Sequence, residues 1–143
     1  MDFDFLHAFF REYTIVVPFF ALLFAIFMKW SIHALKWKFT VHRMFGSGGM
    51  PSAHSTFVIA LATAMWLKYG PMSDEFLMCL VFSIIIIYDA MNVRYQAWLH
   101  AKAINELSPN DGEELNEMLG HTPVEALAGG IVGFTTAVLL LWF

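Results

Sequence analysis

The sequence is poor in charged residues. Lys, Arg, Asp and Glu make up only 14% of its 143 residues, whereas 59% are hydrophobic. A soluble domain has about 25% charged residues, and a soluble protein this small has a large surface to cover for its volume. The deficit therefore excludes an ordinary soluble protein and indicates one that resides in a lipid bilayer.

The sequence also has little cysteine and does not begin with the pattern of a cleavable signal peptide. Cys79 is the only cysteine, which excludes a disulfide within the chain, and its apolar surroundings indicate a packing role. The N-terminus begins Met1-Asp2-Phe3-Asp4, acidic where a signal peptide is basic, and no small-residue cleavage site follows. We therefore expect the first apolar segment to be retained. The net charge of −4 is mild and says nothing about nucleic acid, and no nucleic-acid partner is expected.

What the sequence does contain is long apolar stretches, at about residues 13–30, 52–67, 76–93 and 123–143. A membrane-spanning helix needs about 20 mostly apolar residues. Backbone polar groups in lipid must be paired within the chain, which here means helices. The sequence predicts an all-α, polytopic transmembrane helical bundle of about four spans, forming a single integral membrane domain over residues 1–143.

Basic residues concentrate on one side of the predicted bundle. The connections after the first and third spans, with the edge of the first span, hold Lys29, Lys36, Lys38, Arg43, Arg94 and Lys102. The opposite side holds only Arg11 and Lys68. Because short cytoplasmic loops carry an excess of Lys and Arg, we expect both termini to face outward and the two long connections to face the cytoplasm.

A glycine-rich segment precedes the second span and reads Gly46-Ser47-Gly48-Gly49-Met50-Pro51-Ser52-Ala53-His54. Glycines let backbone N–H groups form a concave anion site, and Pro51 suits the first position of a helix. The unpaired N–H groups of that helix start attract anions. Ser52 would add a hydroxyl donor, and His54 lies in the first turn. A glycine-rich linker followed by a capped helix is the alternative.

His121 and Glu125 lie four residues apart at the start of the fourth span. On a helix this spacing places both side chains on one face. A carboxylate that binds one imidazole N–H fixes the tautomer and leaves the other nitrogen free to attack a substrate or bind a metal. Simple helix capping, with Glu125 favouring the helix dipole, is the alternative.

Several ionisable residues stand at span ends, where a charge in lipid costs about 2.5–3.5 kcal/mol and therefore indicates function. They are His54, Asp89, His121 and Glu125. The predicted topology places them on the same face as Lys36, Arg43 and Arg94. Asp89 is expected to pair with Lys36 or Arg94 and position it, with a structural hydrogen bond as the alternative. No compact set of ligands at metal-site spacing accompanies it, so no metal is expected.

These residues resemble the signatures of the type 2 phosphatidic acid phosphatase superfamily, which also includes vanadium haloperoxidases. Lys36 and Arg43 fit its first signature, K-x6-R-P, with Met44 in place of the proline. The segment Pro51-Ser52-Ala53-His54 is similar to the second, PSGH, with Ala53 in place of glycine. The resemblance covers nearly the whole chain from Lys36 onward.

The third signature, S-R-x5-H-x3-D, is stretched in this chain. Arg94 ends the third span, His121 opens the fourth and Glu125 stands for the aspartate, while no serine precedes Arg94. The surrounding blocks are similar to the small divergent bacterial and plant branch of the superfamily: Gly48-Gly49-Met50-Pro51-Ser52-Ala53-His54-Ser55, Tyr88-Asp89-Ala90 and Gly120-His121-Thr122-Pro123-Val124-Glu125.

The resemblance implies a lipid phosphatase that needs no metal or other cofactor. Its substrate would be a membrane lipid phosphate or diphosphate of the phosphatidic acid, phosphatidylglycerophosphate or polyprenyl type. His121 would attack phosphorus, Glu125 would orient it, and His54 would protonate the leaving group. The phosphate would be bound by Lys36, Arg43, Arg94, Ser52, Gly48 and Gly49. We expect a bacterial inner (plasma) membrane, with the site near the cytoplasmic face.

Other functions stay open at this point. The departures at Met44, Ala53 and Glu125, with the missing serine before Arg94, favour a catalytically degenerate protein that binds anionic lipid headgroups or scaffolds a partner. The retention of both histidines and all three cations argues against it. A small transporter is less favoured, because the polar groups cluster at one interface and not at the midplane. Gly129 and Gly133 match the small-xxx-small pattern of helix contacts, and we expect this face to allow a homodimer.

Overall fold

The computed structural model describes residues 3–35, 49–107, 115, 117 and 120–141. Within these ranges the regular structure is helical throughout, without a strand. The described helices are α1 (Phe3–Glu12), α2 (Val16–Leu35), α3 (Ala53–Tyr69), α4 (Asp74–Met91), α5 (Val93–Leu107) and α6 (Pro123–Leu141). The predicted all-α membrane bundle is confirmed.

Two helical segments are long and apolar enough to cross a membrane. They are α6, with 19 residues, and the nearly continuous 34-residue segment Asp74–Leu107 formed by α4 and α5. A shorter apolar segment, Val16–Ile32, lies in α2. With α3, which has 17 residues, these helices correspond to the four apolar stretches of the sequence.

Helix α3 lies at the centre of the bundle and packs against α2, α4 and α6. Its contact with α6 is especially close, because a side chain at Gly129 would collide with the Ser52 carbonyl, and one at Gly133 with the Thr56 carbonyl. The Thr56 hydroxyl donates across this contact to the Gly129 carbonyl at 3.0 Å. Small residues thus let two backbones approach within the same chain.

This packing changes the expectation for the glycine face of α6. Gly129 and Gly133 are both buried against α3 of their own chain. The prediction of a homodimer through that face is therefore corrected, because α3 of the same chain already covers the surface. Dimerisation itself stays a prediction and would need another surface.

The ends of the helices fall on two opposite faces of the bundle. Helix α1 packs beside the C-terminal end of α6, where Arg11 Nε donates to the Leu141 carbonyl at 3.2 Å and His7 Nδ1 lies 2.9 Å from the Leu140 carbonyl oxygen. The opposite face gathers the start of α3, the end of α4 and the start of α6, and it carries the candidate site.

Candidate functional site

Residues from the ends of four helices meet at this face. His54 lies in the first turn of α3, Asp89 in the last turn of α4, and Arg94 at the start of α5. His121 directly precedes α6, and its ring centroid lies 5.9 Å from that of His54. Residues 67 positions apart in the chain thus become neighbours.

Backbone contacts fix this convergence. The His121 N–H donates to the Ala90 carbonyl at 3.0 Å, and the Ser52 N–H donates to the Glu125 carbonyl at 3.1 Å. Gly120 has a φ of +83°, a conformation that favours glycine. An added Cβ there would lie 2.7 Å from the Tyr95 nitrogen. Only glycine therefore fits at position 120, where the backbone lies against the α4–α5 junction.

Arg94 links the carboxylate and one of the two histidines. Its Nε donates to Asp89 Oδ2 at 2.7 Å, and its Nη1 donates to His54 Nε2 at 3.5 Å. A guanidinium has no acceptor atom, so His54 Nε2 is the acceptor and the neutral ring carries its proton on Nδ1. Asp89 therefore has the predicted geometry of a residue that positions Arg94.

Glu125 contacts both the imidazole and the start of α6. His121 Nδ1 donates to Glu125 Oε2 at 3.4 Å. The Thr122 N–H donates to the same oxygen at 3.0 Å, while the Glu125 N–H donates to the Thr122 hydroxyl at 3.3 Å. The reciprocal pair is a capping box, so Glu125 caps α6, and its role in orienting a catalytic His121 stays a prediction.

The structure corrects how His121 and Glu125 come together. The sequence pattern predicted both on one face of a helix, but α6 begins at Pro123. His121 therefore lies outside the helix, before the Thr122 cap. The contact arises because the capping box turns the Glu125 carboxylate back toward the incoming chain.

Two ring nitrogens at the site are buried and have no hydrogen-bond partner among the described residues. They are His54 Nδ1 and His121 Nε2. Leaving a buried polar atom unpaired costs about 1–3 kcal/mol, and such atoms therefore mark positions where a ligand can bind. Burial also lowers the pKa of His121, and the hydrogen bond and charge of Glu125 oppose this shift in part. The ring is thus favoured in its neutral form.

The start of α3 differs in detail from its prediction. The helix begins at Ala53 with Ser52 as its N-cap, so Pro51 lies before the cap and not at the first helical position. The fully buried Ser52 hydroxyl accepts the Ser55 N–H at 3.3 Å. A phosphate contact of Ser52 stays a prediction. Gly49 has a φ of +98°, which favours glycine.

Three residues of the predicted phosphate site, Lys36, Arg43 and Gly48, lie outside the described residues, and their roles stay predictions. In the portion of the chain that is described, no group of three or more His, Cys, Asp or Glu could hold a metal ion.

The sequence analysis counted Lys29 among the basic residues of this side but gave it no role at the site. Lys29 of α2 is only 7% exposed, and it interacts electrostatically with Glu125, His54 and His121. It interrupts the apolar sequence Val16–Leu35, and a charge inside such a run is the signal that could have identified it.

This chain is similar in sequence to known membrane proteins over most of its length. A sequence profile described as the divergent PAP2 family matches residues 10–136. The "Uncharacterized membrane protein YuiD" of Bacillus subtilis (strain 168) is 35% identical over 115 residues, which cover 68% of this chain and 73% of that protein. No solved structure matches. The match spans every helix end that contributes to the site, and the chain belongs to the divergent PAP2 family of membrane proteins.

Proposed function

We propose that this membrane protein is a phosphatase that hydrolyses a lipid phosphate or diphosphate through a phosphohistidine intermediate. The observation that carries the proposal is the state of His121. Its Nδ1 is held by Glu125, its buried Nε2 has no partner among the described residues, and its ring centroid lies 5.9 Å from that of His54. An imidazole in this state is equipped to act as a nucleophile.

The first step forms a bond between His121 Nε2 and phosphorus and breaks the bond from phosphorus to the lipid oxygen. Glu125 accepts a hydrogen bond from Nδ1–H and so holds the neutral tautomer whose lone pair is on Nε2. As the ring becomes bonded to phosphorus it gains positive charge, and the adjacent carboxylate stabilises that charge.

His54 protonates the leaving lipid oxygen as an imidazolium. In the substrate-free site Arg94 donates to its Nε2, an arrangement suited to the neutral ring. A bound phosphate attracts Arg94 and supplies negative charge that favours protonation of His54. In the second step His54 takes a proton from water, whose oxygen attacks phosphorus and releases inorganic phosphate and free His121.

Cations around the two histidines neutralise the phosphate oxygens. Arg94 is partly exposed and held by Asp89, so it can reach a ligand without losing its support. Lys29 supplies a buried positive charge beside Glu125 and both imidazoles. Such preorganised charges are the main contribution that proteins make to phosphoryl transfer. Lys36 and Arg43 are expected to complete the set.

The location of the site favours a lipid substrate. The reacting residues lie at the ends of apolar helices, where a phosphate headgroup meets water while its hydrocarbon chain stays in the bilayer. We further propose that the membrane is the bacterial inner membrane and that this face is cytoplasmic, because the basic residues of the chain concentrate there.

The test is phosphate release by purified protein in lipid nanodiscs, measured over a panel of lipid phosphates and diphosphates. We expect His121→Ala to abolish release and His100→Ala, an exposed histidine on α5, to leave it unchanged. Acid quenching of the wild type with radiolabelled substrate should retain label on the protein, and His121→Ala should retain none. Equal release by wild type and His121→Ala would exclude this function.

A degenerate protein that binds anionic headgroups is the second candidate. The residues Met44, Ala53 and Glu125, where the superfamily signatures have proline, glycine and aspartate, favour it. Such a protein would bind lipid phosphate vesicles with equal affinity before and after His121→Ala, and it would release no phosphate.

A further inference from the structure

An apolar groove runs along the bundle from the candidate site. Its volume is about 480 Å³, and α3, α4 and α6 form its walls. Every described lining residue is apolar, and the walls include Ile59, Ile87, Met91, Pro123, Gly130 and Phe134. We propose that this groove binds one hydrocarbon chain of the lipid phosphate, an inference that rests on the proposed function and assigns the substrate's tail to a defined surface.

One end of the groove lies at the end of the bundle that carries the candidate site. Met91 lies two residues after Asp89, Pro123 lies two residues after His121, and the His121 N–H donates to the carbonyl of Ala90, the neighbour of Met91. A ligand bound along the groove therefore has its terminal group at the end of the bundle where Arg94 and the two histidines lie. A charged headgroup on an apolar chain satisfies both regions at once.

The length of the groove matches one leaflet. Pro123 and Phe134, near its two ends, lie about 16 Å apart along α6 at about 1.5 Å per residue. This is close to half of the roughly 30 Å hydrocarbon core of a bilayer. A chain that starts at the site and follows the groove therefore stays within the leaflet on the site's own side. The exposed side chains of Leu127 and Ile131 border the groove, so a lipid can enter sideways.

Gly130 keeps this groove open. Its neighbours Gly129 and Gly133 are needed for packing, since a side chain at either would collide with the backbone of α3. At Gly130 an added Cβ would lie 3.8 Å from Ile59 Cγ1, an ordinary van der Waals contact. The helix contact thus does not require glycine at this position. A larger side chain would instead occupy the groove.

The test compares two substrates with the same phosphate headgroup, one with a long chain and one with a chain too short to reach Gly130. We expect Gly130→Leu to lower kcat/KM for the long-chain substrate by about tenfold or more, the equivalent of two lost buried methylenes. The short-chain substrate should change by less than about twofold. Leu139→Phe enlarges an exposed α6 residue away from the groove and should alter neither. Equal losses for both substrates, or none, would overturn the inference.

A binding measurement separates this inference from the proposed function. A lipid phosphate with a photoreactive diazirine midway along its chain should label peptides of α4 and α6 in the wild type, and Gly130→Leu should remove that label. If the wild type releases no phosphate yet is labelled there, the phosphatase function is wrong and the groove assignment holds. Label elsewhere, or crosslinking of the groove to a second copy of the chain, would overturn the assignment.

Discussion

The Glu125 carboxylate accepts a hydrogen bond from the His121 ring at 3.4 Å while it also caps the helix that follows. One oxygen, Oε2, therefore serves both the fold of α6 and the tautomer of the proposed nucleophile. The position of the histidine depends on the same turn that begins the helix. The proposed function and the local structure thus depend on the same residue.

Glu125→Gln should slow the reaction and shift its pH dependence. The amide removes the negative charge that raises the pKa of His121 against the lowering caused by burial. The pKa should therefore fall further, and the acidic limb of the kcat/KM profile should move to lower pH. We expect kcat to fall by roughly 10²-fold or more because the tautomer is no longer fixed.

Glu125→Asp is the matched control, because it keeps the charge and shortens the side chain by one carbon. Its acidic limb should lie closer to that of the wild type than the limb of Glu125→Gln does. An acidic limb that moves to higher pH in Glu125→Gln would contradict the assigned role of the carboxylate.

Lys29→Met should weaken catalysis, whereas removal of a cation far from the site should not. The substitution keeps the length of the side chain and removes a buried positive charge near Glu125 and both histidines. Loss of one preorganised charge at a phosphoryl-transfer site should lower kcat/KM by roughly 10²-fold. Kinetics in nanodiscs, together with thermal unfolding to verify the fold, provide the measurement.

The control for Lys29 is Lys68→Met. Lys68 lies at the opposite end of the bundle, where it lines a separate cavity with Arg11. This variant should retain the wild-type kcat/KM. If both variants lost activity equally, general membrane electrostatics and not a local phosphate contact would be the cause.

Asp89→Asn should raise KM clearly and change the free energy of unfolding only slightly. The Asp89–Arg94 pair is 2.7 Å long, and both side chains are about 40% exposed. An ion pair so accessible to solvent contributes about 1 kcal/mol or less to the free energy of unfolding. Its removal nonetheless frees the guanidinium, so we expect KM for the lipid phosphate to rise by roughly tenfold.

A matched comparison is Glu106→Gln, which breaks the exposed Lys102–Glu106 pair on α5, 3.9 Å long. Both variants should unfold at nearly the wild-type temperature, and only Asp89→Asn should change KM. An unchanged KM in Asp89→Asn would show that Asp89 does not position Arg94.

Gly129→Ala and Gly133→Ala should destabilise the bundle, and Gly130→Ala should not. The first two add a methyl group that collides with the backbone of α3, whereas at Gly130 the nearest atom lies 3.8 Å away. Overpacking of this kind costs about 1–3 kcal/mol. Denaturant unfolding in micelles measures the difference. Equal stability of the three variants would show that α3 and α6 do not pack as described.

Much of the fold could be predicted from the sequence because the information is local. Scarce charge and long apolar stretches indicate a bilayer. Because backbone polar groups in lipid must be paired within the chain, these stretches are predicted to be helices. The predicted third stretch, 76–93, and α4, Asp74–Met91, coincide closely. The same holds for the site residues His54, Asp89 and Arg94, because a charge at the end of an apolar helix is visible in the sequence alone.

The sequence by itself determined the class of protein, the helices and the chemical types available at their ends. Tertiary structure alone decided which of these groups meet. It brought buried Lys29 within electrostatic range of the histidines, committed Gly129 and Gly133 to the contact with α3, and left Gly130 facing an open groove. The physical reason is that burial and long-range proximity depend on how whole helices pack against one another, and no local pattern of residues specifies that packing.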